Sequence, residues 1–202
     1  MTAADAPLRP EDALAALAVS LRDEGPVIAP HVAEPAGPTV LGVLAAAGPR
    51  CAADPGSYAT VVELVREGYL CHYGEPRLLA RLDPDLRLLA GDHLYARGIE
   101  RLARLGDLLA VAELSDLISI AAQLDAAPGS DPDAAEIAWL AAAVAIGAGP
   151  SAEHAAGKTA LREGGGADRL WRAARERAEQ AGLSEHLSVA SEAVGFAAPN
   201  RG

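Results

Sequence analysis

From Pro10 onward the chain is a succession of alanine- and leucine-rich runs, each of helical length and separated from the next by proline or glycine. This punctuation constrains the fold more than any other feature. "RPEDALAALAVSLRDEG" places Pro10 and two acids at a helix start and Gly25 at its end, the arrangement that fits both the missing proline N–H and the helix dipole. Asp83-Pro84 opens a second long run that Gly106 closes, and Asp131-Pro132 opens another that ends in "AIGAG". Half of the residues are hydrophobic but only 3% are aromatic, and β-branched runs are few, so the composition favours closely spaced helices over sheet. The expectation is an all-α fold of eight to ten helices joined by short connections into one bundle.

"PVIAPHVAEPAGP" interrupts the pattern with four prolines in thirteen residues and reads as a linker or extended arm. The chain thus divides into an N-terminal helix with its proline-rich linker, residues 1–37, and a helical bundle domain, residues 38–198. "DLLAVAELSDLISIAAQLDAA" is so apolar that it is expected at the centre of the bundle. A frayed tail is expected after Pro199.

A formal net charge of −11 repels phosphate backbones and anionic lipid, which argues against nucleic acid as a partner. No stretch has about 18 uncharged apolar residues, and the start has neither a basic region nor a continuous apolar segment. No integral membrane segment is expected, and the chain reads as cytoplasmic. In that compartment Cys51 and Cys71 are expected as two buried thiols.

Within "LRLLAGDHLYARGIERLARLGD" two poor helix formers, Gly91 and Asp92, stand inside a strongly helical run. A glycine in a helix interior costs about 1 kcal/mol against alanine, so its presence points to close approach of a neighbouring helix.

The order of these segments resembles the trans-prenyltransferases, the polyprenyl diphosphate synthase family. The resemblance rests on Leu89, Ala90, Gly91, Asp92 and Tyr95, followed by Gln123 and Leu124 at the end of the next helix. Upstream, "VVELVREGYLCHYGE" is similar to the family helix that ends in Leu-Ile-His-Asp-Asp, and "PTVLGVLAAAG" stands where its Arg-Pro-Leu-Leu helix would be. The match covers residues 38–148 and extends less specifically to 182. It implies a truncated isoprenoid-synthase-like bundle.

Departures from the family pattern shape the functional expectation. Family catalysis needs two Asp-Asp-x-x-Asp clusters that hold magnesium ions around a diphosphate. After His72 this sequence has Tyr73, Gly74 and Glu75 instead, and only 20 positions separate His72 from Asp92, too few for the arginine-rich loop. The family's Lys-Thr would fall near Ala135 and Glu136, and the second cluster is reduced to Asp168. The chain also ends early relative to catalytic members. The resemblance therefore implies a non-catalytic subunit or regulator of a heteromeric polyprenyl diphosphate synthase, like the small subunits of heptaprenyl and hexaprenyl diphosphate synthases. Such a subunit works beside a catalytic partner, with no cofactor and no metal of its own. A homodimer through the apolar "DLLAVAELSDLISIAAQL" tract is a further arrangement the sequence allows.

The enzyme alternative is a divergent class I isoprenoid synthase, gathering magnesium through Glu75, Asp92 and Asp116. A third reading is a module that holds a prenyl lipid in its interior. "SDLISIAAQ" approaches an Asn-Asp-x-x-Ser-x-x-x-Glu metal motif, but Ser115 and Gln123 replace both outer ligands with neutral groups. "AGKTAL" has the end of a phosphate loop, with Ala152 in place of its first glycine and no strand before it. His31, His72, His93, His154 and His186 show no ligand spacing. Arg97, Arg101 and Arg104 form an i, i+4, i+7 stripe, read as a solvated helix face or as a contact to diphosphate or to a partner's acids.

Overall fold

The structure, a computed structural model, describes residues 9–129 and 131–196. Among them are nine α-helices: α1 Ala13–Arg22, α2 Val40–Ala46, α3 Pro55–Tyr73, α4 Pro84–Leu105, α5 Leu108–Ala126, α6 Ala134–Ala148, α7 Ala152–Arg162, α8 Asp168–Gln180 and α9 Ser184–Ala193. The described residues form no strand, only an isolated bridge between Val32 and Leu79. The all-α expectation holds; the tail after Pro199 lies outside the described residues.

Short polar side chains cap the starts of α3, α4, α5 and α7. Asp83 Oδ1 accepts from the Leu86 N–H at 2.8 Å, Asp107 Oδ1 from Ala110 at 3.0 Å, and Ser151 Oγ from His154 at 3.1 Å. Each takes up one of the N–H groups a first turn leaves unpaired. Gly106 ends α4 in the left-handed conformation at φ 75°, which glycine adopts without a Cβ clash.

The helix at the centre is α6, not α5. Every residue from 137 to 148 in α6 is buried, and α2, α5, α8 and α9 pack around it. α5 buries Ala110, Glu113, Leu114, Leu117, Ile120 and Ala121, and leaves its opposite side in solvent. Sequence contains the reason: Ser115, Asp116, Ser119 and Gln123 recur on α5 at helical spacing, whereas α6 has Glu136 as its one charged residue and is otherwise mostly alanine. Small side chains let α6 be enclosed closely.

α1 packs against α3 through a second apolar cluster that joins Leu14, Leu17 and Leu21 to Leu64, Leu78 and Leu94. The proline-rich stretch is laid on the body by backbone bonds. The Ala33 N–H donates to the Leu78 carbonyl at 2.8 Å, and the Ala80 N–H to the His31 carbonyl at 2.9 Å.

α3 and α4 pack along a seam of glycines. A Cβ on Gly91 would lie 2.5 Å from His72 Nε2 and 3.1 Å from the Gly68 carbonyl oxygen, and one on Gly68 would lie 2.8 Å from Tyr95 Cδ1. Gly98 meets Val65 in the same way one heptad along. Gly91 therefore permits the close helix approach that its place in the sequence suggested.

Candidate functional site

The seam brings the C-terminal turn of α3 beside the first turns of α4. Arg87 fastens the two: its Nε donates to the Cys71 carbonyl at 2.8 Å, and its Nη2 donates to the Leu70 carbonyl at 3.3 Å and to that of Gly74. These are the carbonyls a helix end leaves without partners. Beside them opens a cleft of about 610 Å³ lined by His72, Tyr73, Gly74, Glu75, Arg87 and Asp125, with Leu82 and Leu88 among its apolar members.

Four of the sequence-selected positions, His72, Tyr73, Gly74 and Glu75, thus share one cleft. Gly91, Asp92 and Tyr95 stand behind it. The His72 ring stacks on Tyr95 with centroids 5.3 Å apart and an interplanar angle of 16°. His72 Nε2 is 3.2 Å from Asp92 Oδ1, but no hydrogen bond joins them. The distance makes this a charge contact whose strength depends on the histidine being protonated. Gln123 is exposed on α5 and does not join the cleft.

Four of the chain's seven aromatic residues meet here. The rings of Tyr95, His72, Tyr73, Tyr69 and Trp139 follow one another at centroid spacings of 5.3, 5.6, 5.3 and 5.4 Å. At the buried end the Arg66 guanidinium lies 4.8 Å from the Tyr69 centroid and 5.0 Å from that of Trp139, and its Nη2 donates to both carboxylate oxygens of Glu136 at 2.7 and 2.9 Å. Burial pushes the phenols of Tyr69, Tyr73 and Tyr95 above their ordinary value, and the charge of Asp125 adds to this for Tyr69 and Tyr73.

The remaining candidates lie elsewhere. Arg97 pairs with Glu24 just beyond α1, where His93 Nε2 also lies 2.8 Å from Glu24. Arg104 Nη2 donates to Glu100 at 2.7 Å on the exposed side of α4, and Arg101 is half-buried on that helix. None of the three lines the cleft. Asp116 accepts from Lys158 and Arg162 at 2.8 Å each, so the structure does not gather Glu75, Asp92 and Asp116. Among the described residues no group of three or more His, Cys, Asp or Glu side chains is placed to hold a metal ion. Lys158 of "AGKTAL" also donates to Glu113 at 2.7 Å, and Gly157 abuts the Leu170 backbone. Cys51 and Cys71 are free and buried.

Sequence reading missed Asp125 and Arg87 of the cleft, and also the buried ionic groups. Glu63 and Glu67 on α3 share Arg77, at 2.7 and 3.3 Å, and accept from the Gly42 and Leu78 N–H groups. Two glutamates four apart in a largely apolar stretch that also has Arg66, with another arginine in the next loop, were the available signal.

A second feature is a face. On α5, Leu108, Ala112, Ser115, Ser119, Ala122 and Ala126 are exposed on one uncharged side, about 27 Å long at the helix rise. Of the eight large hydrophobic residues exposed among the described residues, five belong to these two helices: Leu88, Leu89 and Leu105 to α4, Leu108 and Leu109 to α5. Leu108 is 74% exposed and Leu89 65%. No helix among the described residues is long and apolar enough to cross a membrane.

Comparison with protein-family models, curated proteins and solved structures finds no match to this chain.

Proposed function

We propose that the chain is a non-catalytic subunit or regulator of a heteromeric polyprenyl diphosphate synthase, docking on its catalytic partner through the outer face of α4 and α5. The observation that carries this reading is that uncharged α5 side with its exposed leucines, in a chain with 22% charged residues. The cores of protein–protein interfaces are depleted of charged residues, and this side of α5 has none from Leu108 to Ala126. Further support comes from the motif positions of the resemblance: Gly91, Asp92 and Tyr95 each lie against His72.

A magnesium cluster of the family's kind needs several carboxylates turned to one point. The cleft has Glu75 and Asp125 on its wall, while Asp116 is held by Lys158 and Arg162, so these residues do not fit such a cluster. The proposed role is accordingly mechanical: to cover the partner's apolar surface and bound the space in which a prenyl chain grows.

Co-expression with a catalytic polyprenyl diphosphate synthase that carries both aspartate clusters tests this. The expected result is a complex that survives gel filtration and a change in product length or rate when this chain is present. Neither a complex nor a kinetic effect would overturn the proposal.

A further inference from the structure

The subunit role gives no task to the polar and aromatic groups of the cleft at the end of α3, although Leu88 borders both cleft and docking face, and the cleft has a definite chemistry. Glu75 and Asp125 are exposed on its wall, and neither carboxylate has a hydrogen-bond or ion-pair partner among the described residues. The C-terminus of α3, with its partial negative charge, ends at the same place. Two positive features oppose this. Arg87 lines the cleft but spends Nε and Nη2 on the α3 carbonyls, and the α4 N-terminus is capped by Asp83 and followed by Asp85. His72 faces Asp92. The balance is negative.

The wall is also aromatic. Tyr73 lines the cleft with His72, and the run of rings continues behind them to Trp139. In a chain with two tryptophans, four tyrosines and one phenylalanine, this concentration is not a product of composition. Aromatic faces attract cations of low charge density, with the ring centroid within about 6 Å, and a nearby carboxylate adds to the attraction.

We propose that this cleft binds a small organic ammonium ion between the Tyr73 ring and the carboxylates of Asp125 and Glu75. A hard divalent cation would need several oxygens in one coordination shell, and no such group of three side chains occurs among the described residues. A phosphate or carboxylate ligand would meet the two unpaired acids, while Arg87 spends its Nε and Nη2 donors on the α3 carbonyls. An alkylammonium ion needs only diffuse negative potential and a ring. The cleft volume of about 610 Å³ lies within the range of about 300–1,000 Å³ common to small-molecule sites.

Titration of the full chain with choline, followed by amide chemical shifts, tests the proposal against 3,3-dimethylbutan-1-ol, its uncharged analogue of the same shape. Choline is expected to bind saturably, with shifts centred on residues 72–75 and Asp125, and about tenfold more tightly than the neutral alcohol. Asp125→Asn and Tyr73→Leu should each weaken choline about fivefold, while Tyr73→Phe, which keeps the ring, should stay within about twofold. Asp125 is exposed, so its variant tests the site even where Tyr73→Leu disturbs packing. Equal binding of choline and the alcohol, absence of saturation, or inorganic phosphate shifting the same residues in place of choline would overturn it. No partner chain enters this titration, so its failure leaves the subunit proposal standing.

Discussion

Gly147 of α6 and Ala45 of α2 meet backbone to backbone: a Cβ on Gly147 would stand 2.5 Å from the Ala45 carbonyl oxygen and 3.2 Å from the Gly48 Cα. Neither neighbour is a side chain that could rotate aside. Gly147→Ala would gain about 1 kcal/mol of helix propensity. It would also force apart the central helix and the elements that cover it, and overpacking of this kind costs about 1–3 kcal/mol, more where backbone must move. The expected net loss is about 2 kcal/mol, about 4–8 °C in Tm for a chain of this size. Thermal unfolding followed by circular dichroism checks it, and an unchanged Tm would show that α2 and α6 are not held this closely.

Lys158 joins two carboxylates of α5 to α7, at 2.7 Å from Glu113 and 2.8 Å from Asp116. Burial alone would push Glu113 up; the hydrogen bonds and charges of His154 and Lys158 outweigh it and hold the carboxyl below its ordinary value. Asp116 is lowered in the same sense by Lys158 and Arg162. Carboxylates lowered by folding contribute stability above their unfolded pKa of about 4, and that contribution is lost as pH falls through the folded values. Lys158 is raised, so its part is present at neutral pH and is lost only as pH rises through its folded value above the ordinary 10.5. Lys158→Met should therefore cost about 1–3 kcal/mol near pH 7, reduced from the fully buried case because Asp116 is partly exposed. The gap to the parent protein should narrow below about pH 4. Urea unfolding at pH 3.5, 5 and 7 measures it; a gap independent of pH would exclude the ionic account.

The contrast between α5 and α6 shows where sequence reading stopped. Punctuation identified the helices themselves: the caps at Asp83 and Gly106 act as their residue types suggest. The leucines and isoleucines of α5 suggested a central place, although alanine-rich α6 has the larger apolar share, and that reading did not ask whether the polar residues of α5 share a face. Ser115, Ser119 and Gln123 do, and α6 has no equivalent. One wall of the cleft was legible because His72 to Glu75 are contiguous in sequence. Asp125 and Arg87 were not, since their place depends on how α4 and α5 cross α3. The arginine stripe on α4 was informative only as a pattern: Glu24, 73 positions before Arg97, takes one of its members.

Both thiols are shielded. Burial pushes Cys51 and Cys71 up to about 12, far above the range in which a thiolate forms at neutral pH. At pH 8 the folded protein should react with a thiol reagent at least about a hundredfold more slowly than the unfolded chain, and unfolding should release two reactive thiols. A fast stoichiometric reaction of the native protein would show that one of the cysteines reaches solvent.

Arg50 clamps three elements. Its Nη2 lies 2.8 Å from both oxygens of Asp107, the cap of α5, and its Nη1 donates to the Ile146 carbonyl of α6 at 2.6 Å; Tyr58 Oη of α3 donates to Asp107 at 2.8 Å. Lysine cannot reproduce this fork. Arg50→Lys is expected to lose about 1–3 kcal/mol. Burial first, then the bond to Asp107, pushes Tyr58 up to about 12, so folding keeps this phenol neutral. That contribution is complete below the ordinary tyrosine value near 10 and is lost as pH rises through 12. Absorbance titration of the folded protein should show less tyrosinate at about pH 10.5 than the unfolded chain, and Tyr58→Phe should leave less alkaline dependence of stability than the parent. An ordinary phenol titration would contradict the arrangement.

The outer side of α5 gives the most direct separation of stability from association. Ser119 stands near the middle of that side, exposed, with no charged residue along the stripe from Leu108 to Ala126. An arginine there would point into water in the isolated chain, and exposed substitutions of this kind change stability by no more than about 0.5 kcal/mol. In a packed helix face the same charge would be buried without a partner, at a cost of several kcal/mol. Ser119→Arg is therefore expected to leave the urea midpoint unchanged and to weaken binding to the proposed catalytic partner about a hundredfold or more. Leu108→Glu, at the end of the stripe, should act in the same direction, since that leucine is 74% exposed and would lose its apolar contact. Sedimentation velocity with and without the partner distinguishes the outcomes: retained association in both variants would place the docking surface away from α5.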